Sequence, residues 1–238
     1  MMVTQSKPNQ NTRSTAVLVG VLFLAAMVAS LVGGGLVEAV IAAPDNLLNI
    51  SENETQLLIG VLLELLNGIA VLGIGVLMYP ILKQFNQKMA VGYLGFRIVE
   101  AVFCCMIVIS PLSLITLSQE YINAGAPDVP YFQTASVMSI AGRASIANLL
   151  IPVFLSLGAL LLYSVLYQSK LLPRFIAVWG LIGAILILLL NLLLTFNVEL
   201  GNTAMIFALP MILNEIFLGI WLILKGFNTS VIPAKNSI

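Results

Sequence analysis

Six long apolar runs constrain this chain more than any other feature of its sequence. Each run has about 20 residues or more, which is enough for an α-helix to cross a hydrocarbon core of roughly 30 Å. The runs occupy residues 16–37, 57–79, 91–117, about 138–167, 175–196 and 204–224. Because a lipid-exposed backbone must satisfy its own hydrogen bonds, the runs predict an all-α integral membrane protein with six transmembrane helices.

The composition points to lipid as the main surroundings of the chain. The sequence is 60% apolar and 8% charged, whereas soluble domains carry about 25% charged residues. We therefore expect the lipid bilayer to be a partner of this protein.

The formal net charge is +0, which argues against nucleic acid as a partner, because binding nucleic acid needs a basic surface. Histidine, the commonest metal ligand and general base, is absent, and the sequence predicts no cofactor and no metal site.

Polar segments set the predicted domain limits. Residues 1–13 are predicted to be a disordered tail, 14–226 the six-helix transmembrane domain, and 227–238 a second tail. The basic start followed by an apolar run resembles a signal peptide, but the run exceeds the roughly 7–15 residues of a signal-peptide core. We therefore expect an uncleaved first membrane helix.

Three connections on one side of the predicted bundle are polar or acidic. The sequence predicts loops over residues 44–54, 118–134 (which carries Glu120 and Asp128) and 197–202 (which carries Glu199).

The distribution of lysine and arginine predicts the orientation. These residues lie in the two tails and in the second and fourth connections, and the other three connections contain none. The basic residues outside the runs are Lys7, Arg13, Lys83, Lys88, Lys170, Arg174, Lys225 and Lys235. By the positive-inside rule both termini are expected to be cytoplasmic.

Eight polar residues in or beside the runs form the candidate site. They are Glu64, Asn67, Tyr93, Arg97, Glu100, Arg143, Asn214 and Glu215. Tyr93, Arg97 and Glu100 fall on one stripe of the third helix, because their spacing is four and then three residues. An unpaired charge at the bilayer centre costs at least about 2.5–3.5 kcal/mol. The polar stripes are therefore expected to converge on a common interior, with Arg97 paired to Glu100 and available to Glu64 or Glu215.

The charges inside the runs do not balance. Three carboxylates, Glu64, Glu100 and Glu215, face one deep arginine, or two if Arg143 reaches the interior. At least one carboxylate must then be protonated, solvated in a cavity or paired with a cation. A proton- or cation-coupled transporter uses this arrangement, and so does a structural core whose ion pairs fix the register of the helices.

Catalysis is a weaker interpretation of the same residues. The sequence has no HExxH or GxSxG motif and no aspartate inside an apolar run. Glutamate and arginine could exchange protons, but no residue is marked as a nucleophile or as an oxyanion hole. We therefore expect no enzymatic activity and name no catalytic residue.

Three separated motifs carry a resemblance to a known family. They are GFRIVEA at residues 95–101, LPR followed by WGLIG within 172–183, and LPM, Glu215 and WLILKGF within 209–227. Together they resemble the bacterial membrane family called domain of unknown function 4386. The resemblance implies a bacterial or archaeal integral membrane protein and brings no activity with it.

Two functional hypotheses follow from the sequence. In the first, the buried Glu/Arg cluster binds or transports a small solute, a proton or a cation across a prokaryotic plasma membrane. In the second, the protein is a non-catalytic membrane scaffold or sensor subunit, and the buried ion pairs only hold its helices together. The sequence does not indicate an oligomeric state.

Overall fold

The computed structural model describes residues 10–43, 45–127, 129–196, 198 and 200–232. This part of the chain is helical and contains no strand, which confirms the all-α fold class. Its α-helices are α1 (Gln10–Ile41), α2 (Asn46–Glu52), α3 (Glu54–Leu82), α4 (Gln87–Met106), α5 (Ile109–Asn123), α6 (Pro130–Ser145), α7 (Ile151–Ser169), α8 (Arg174–Thr195) and α9 (Ala204–Leu224).

Six segments of these helices are long and apolar enough to cross a membrane, as the sequence predicts. They are Thr12–Ile41, Glu54–Leu82, Gln87–Asn123, Pro130–Ser169, Arg174–Thr195 and Ala204–Leu224. The third segment combines α4 with α5, and the fourth combines α6 with α7.

The spans form a closed ring in chain order. Helices α1, α3, α4, α7, α8 and α9 each pack against the next, and α9 packs back against α1. Arg13 joins the two ends of the ring, because its guanidinium donates hydrogen bonds to the carbonyls of Leu222, Ile223 and Leu224 over 2.7–3.2 Å. Unpaired carbonyls at a helix C-terminus favour such a cation. We call this the terminal end of the bundle and the opposite end the far end.

The third span is interrupted, whereas the sequence predicts one helix over 91–117. Helix α4 ends at Met106 and α5 begins at Ile109. Pro111 provides the physical reason, since it has no N–H to donate to the carbonyl of Ile107 four residues earlier. That carbonyl accepts a hydrogen bond from Arg143 Nη1 at 3.2 Å instead.

The fourth span contains a short π-helix, Ile146–Leu150, between α6 and α7. Pro152 follows it and cannot donate to the carbonyl of Asn148, which lies inside this π-helix. The wider turn is therefore located where proline disturbs the α-helical hydrogen bonds.

Two predicted loops at the far end are shorter than expected. Residues 44–54 contain α2, which packs against α5. Within 118–134, α5 continues to Asn123 and α6 begins at Pro130, and Ser118 donates to the carbonyl of Leu47 at 2.5 Å. Both polar segments therefore contain helical residues: α2 lies in the first segment, and the second includes the end of α5, against which α2 packs.

Some predictions fall on residues outside the described part. These are the tails at 1–9 and 233–238, with Lys7 and Lys235, and the loop residues Asp128 and Glu199. Residues 10–13, which were predicted to belong to a disordered tail, are helical.

The apolar core is unevenly distributed along the bundle. One large cluster fills the terminal end and includes Ala16, Leu82, Leu166 and Leu222. The far end has a smaller cluster, which joins Val37, Ile50 and Leu57 to the α5 side. The larger cluster of buried apolar residues therefore lies at the terminal end of the bundle.

Close backbone contact between α1 and α3 depends on Gly33 and Gly60. A Cβ atom on Gly33 would lie 2.8 Å from Leu63 Cβ and 3.0 Å from the Gly60 carbonyl oxygen. Gly33→Ala is therefore expected to reduce the free energy of unfolding by about 1–3 kcal/mol, the usual cost of overpacking. Unfolding in mixed micelles with increasing dodecyl sulfate measures this change.

Gly35 provides the matched control within the same glycine triplet. No atom lies within 4 Å of a Cβ built there, so Gly35→Ala should leave stability unchanged or raise it by about 0.5–1 kcal/mol. Equal losses for Gly33→Ala and Gly35→Ala would contradict the close contact.

Candidate functional site

Arg97 and Glu100 form an ion pair within α4. Arg97 Nη1 lies 3.1 Å from both carboxylate oxygens of Glu100, and Arg97 Nε donates to the Tyr93 hydroxyl at 3.2 Å. Their spacing places all three on one helical face. Arg97 and Glu100 are 2% and 3% exposed, and Tyr93 is fully buried. The pair is therefore enclosed by protein.

Neighbouring helices fit closely around Arg97. The Phe23 and Tyr93 rings have their centroids 5.7 and 5.6 Å from Arg97 Cζ, a distance at which cation–π attraction operates. On α3, a Cβ at Gly75 would lie 2.8 Å from Arg97 Cβ. Glycine at this position allows the arginine side chain to lie directly against α3.

The second amino group of Arg97, Nη2, has no hydrogen-bond acceptor among the described residues, since the guanidinium bonds use Nε and Nη1. The site therefore retains an unused cationic donor edge.

Glu215 contributes an unpaired carboxylate from α9. Within the described residues no arginine or lysine nitrogen lies within 4.0 Å of its oxygens, and it makes no hydrogen bond. The adjacent Asn214 faces α8, where its Nδ2 donates to the Ile176 carbonyl at 3.0 Å.

Glu215 and both members of the Arg97–Glu100 pair line one cavity of about 160 Å³. Five of the six spans line it, and its polar wall consists of Ser30, Asn67, Arg97, Glu100, Cys104 and Glu215. Phe23, Met27, Ile74 and Ile212 are among its apolar wall residues. Ser30 and Leu31 also line it and are exposed, so the cavity is open on that side.

Arg143 organises a second buried group nearer the far end. It binds Glu64 of α3 through Nη1 and Nη2, with Nη1 2.9 Å from Oε2, and it binds Glu38 of α1 through Nε at 3.1 Å. Arg143 and Glu64 are buried, whereas the Glu38 side chain is 58% exposed. Together with the Ile107 carbonyl, these contacts occupy all three guanidinium nitrogens of Arg143.

The structure distributes the eight predicted residues over more than one place. Asn67, Arg97, Glu100 and Glu215 line the cavity, and Tyr93 contacts Arg97 from beside it. Glu64, which the sequence offered as a partner for Arg97, pairs with Arg143 instead. The single convergent cluster expected from the sequence is thus divided into two groups, because α6 brings Arg143 to the outward-lying Glu64. Asn214 belongs to neither group, since it faces α8.

Sequence reasoning missed three contributors. Glu38 directly follows the first apolar run, which ends at residue 37, and it lies four residues after Gly34, which itself faces Glu64 Oε1. Phe23 and Tyr163 carry no charge and gave no signal in the sequence. Tyr163 is buried against Gly180, and its hydroxyl has no hydrogen-bond partner among the described residues.

A second cavity, of about 280 Å³, lies among α2, α5 and α6. Asp45 is its only charged lining residue in the described part of the chain. It is lined by neither Arg97 nor Glu215, so we assign the candidate site to the smaller cavity. Across the described residues, no group of three or more histidine, cysteine or acidic side chains could hold a metal ion.

Comparisons with known proteins place the chain in a family. Neither the search of curated proteins nor that of solved structures found a match. The family model described as Domain of unknown function (DUF4386) matches residues 18–226, a range that includes both buried groups. The match agrees with the resemblance carried by the three motifs, and the chain therefore belongs to the family Domain of unknown function (DUF4386).

Proposed function

We propose that this membrane protein binds a small charged solute or ion in the cavity beside Arg97 and moves it across the membrane. The observation that carries the proposal is the unpaired Glu215 carboxylate, which faces the Arg97–Glu100 pair across an open cavity. The site holds two carboxylates and one arginine, and only Glu100 pairs with that arginine, so the site has room and charge for a further cationic group.

The energetic cost of the arrangement supports a ligand. A charge left unpaired in the middle of a membrane costs at least about 2.5–3.5 kcal/mol. Protonation of the carboxylate, a salt bridge or an apolar residue in place of Glu215 would each remove this cost without a ligand, and the cavity beside Glu215 gives a cation room to remove it instead. Small-molecule sites, in contrast, combine apolar walls with a few convergent polar groups, and this cavity has both.

The scaffold hypothesis remains the second candidate, and the Arg143 group favours it. Every nitrogen of that guanidinium has an acceptor, and the group joins α1, α3, α6 and the break after α4. We assign this second group the structural role of fixing helix positions and confine the ligand to the Arg97 cavity.

The remaining expectations belong to the same proposal. We place the protein in a prokaryotic plasma membrane with both termini in the cytoplasm, on the basis of the lysine and arginine distribution. The proposal includes no catalytic step, cofactor or nucleic acid.

Cysteine labelling tests whether water and solutes reach the cavity. In a variant with Cys104 and Cys105 replaced by alanine, Ser30→Cys should react with a charged, water-soluble methanethiosulfonate in intact membranes. The reaction needs a thiolate, which forms in water and not in lipid. Labelling is measured by the mass shift of the purified protein.

Val28→Cys is the matched control, because Val28 is two residues away on α1, is 61% exposed and does not line the cavity. We expect it to remain unlabelled, because a side chain at this depth that lies outside the cavity faces lipid and not water. If Ser30→Cys reacts no faster than Val28→Cys, the cavity is closed to water and the proposal fails.

A further inference from the structure

We infer that the ligand of the Arg97 cavity is a small zwitterion, which carries a carboxylate and an ammonium group on a short apolar chain. This inference rests on the proposed function and specifies its substrate class. The geometry behind it is a pair of unused, oppositely charged groups that line the same cavity without touching: Arg97 Nη2 and the carboxylate of Glu215.

The first half of the recognition site is the free edge of Arg97. Its Nε and Nη1 are engaged by Tyr93 and Glu100, which hold the guanidinium in place. The remaining nitrogen has no acceptor in the described part of the protein, and the residue is 2% exposed. A carboxylate is a strong acceptor for such a donor, so this edge suits the anionic end of a ligand.

The second half is Glu215. Its carboxylate has no hydrogen-bond donor among the residues that the structure describes, and the Arg97 nitrogens stay more than 4.0 Å away. A ligand ammonium can approach it from the cavity. A simple cation would pair with Glu215 but leave the Arg97 Nη2 donor without an acceptor, and a simple anion would leave the Glu215 carboxylate without a cation. A ligand that carries both groups supplies an acceptor to Nη2 and a cation to Glu215 at once, while the Arg97–Glu100 pair stays in place.

The size and walls of the cavity limit the rest of the ligand. The volume of about 160 Å³ is close to that of an engineered cavity of about 150 Å³ that accepts benzene. Phe23, Met27, Ile74 and Ile212 form an apolar surface between the two charged groups, which suits a short methylene chain. The expected class is therefore a small amino acid with its amine and carboxylate separated by a few carbons.

A matched series of ligands tests the inference on the purified protein in detergent. Binding is measured by calorimetry for glycine, 3-aminopropanoate, 4-aminobutanoate and 5-aminopentanoate, and then for the amine and the acid of the same chain length as the best of them. The best zwitterion is expected to bind at least about tenfold more tightly than either single-charge analogue, a ratio that corresponds to about 1.4 kcal/mol.

Glu215→Gln provides the second arm. It should lower affinity for the best zwitterion at least about tenfold and leave affinity for the acid unchanged or higher. Glu120→Gln is the matched control, since Glu120 is exposed and lies outside the cavity. If Glu215→Gln does not fold, the ligand series on the unaltered protein still tests whether a zwitterion binds more tightly than the single-charge analogues.

Each outcome separates the inference from the proposed function. Equal binding of the amine and the zwitterion overturns the inference and leaves a cation site. No binding by any member of the series, with Ser30→Cys still labelled from water, also overturns it while the proposed solute site stands. If Ser30→Cys is not labelled and no member of the ligand series binds, both the inference and the proposed function fail.

Discussion

Replacement of Arg143 by methionine is expected to lower the free energy of unfolding by about 3–5 kcal/mol, the usual cost of removing one partner of a buried ion pair. The loss arises because Glu64 is buried and would keep a carboxylate with no cation beside it. Glu38 contributes little to the loss, since its side chain is 58% exposed and can turn to solvent. Unfolding in mixed micelles measures the difference.

A second substitution identifies the cause. Adding Glu64→Gln to Arg143→Met removes the buried charge, so the double variant should recover a large part of the lost stability. Arg174→Met is the control for loss of an arginine, because Arg174 is exposed, lies over the Tyr167 ring and forms no salt bridge with the described residues. It should change stability by no more than about 0.5 kcal/mol. If the double variant is less stable than Arg143→Met, Glu64 is not the source of the loss.

The sequence was sufficient to predict the fold but not the partners of each charge. Apolar runs predict spans because lipid imposes helices of a fixed minimum length, and the last span begins and ends at the predicted residues, Ala204–Leu224. Spacing within one helix also identified the pairing of Arg97 with Glu100, which are neighbours on α4.

Pairs between helices could not be predicted in the same way. Whether Glu64 pairs with Arg97 or with Arg143 depends on how α3 and α6 are rotated and displaced relative to each other. The spacing of residues within one helix contains no information about this arrangement. Pro111 was the available clue. It frees the Ile107 carbonyl and interrupts the third span, and this carbonyl is one of the acceptors that hold Arg143.

The cavity was also beyond sequence reasoning. Its existence depends on an absence of packing between α1, α4 and α9, and apolar residues such as Phe23 and Ile212 look the same in a filled core and at a cavity wall. The count of carboxylates nevertheless indicated that one would be left over, and Glu215 has no salt bridge in the described structure.

Simultaneous replacement of Glu100 and Glu215 by glutamine is expected to destabilise the protein more than the two single replacements added together. After Glu100→Gln alone, Arg97 can still turn towards the Glu215 carboxylate across the cavity. After Glu215→Gln alone, the Arg97–Glu100 pair remains intact. Only the double variant leaves Arg97 buried without any carboxylate, which should cost about 3–5 kcal/mol.

A double-mutant cycle in mixed micelles measures this coupling. We expect an interaction energy of about 1–3 kcal/mol, within the range for residues that share one partner. Glu100→Gln combined with Glu120→Gln is the control, because Glu120 is exposed at the far end and should add nothing. Simple additivity of Glu100→Gln and Glu215→Gln would mean that Arg97 does not use Glu215. In that case the guanidinium is held too rigidly by Tyr93 and Phe23 to exchange partners, and a bound ligand would have to bridge the gap without help from the arginine.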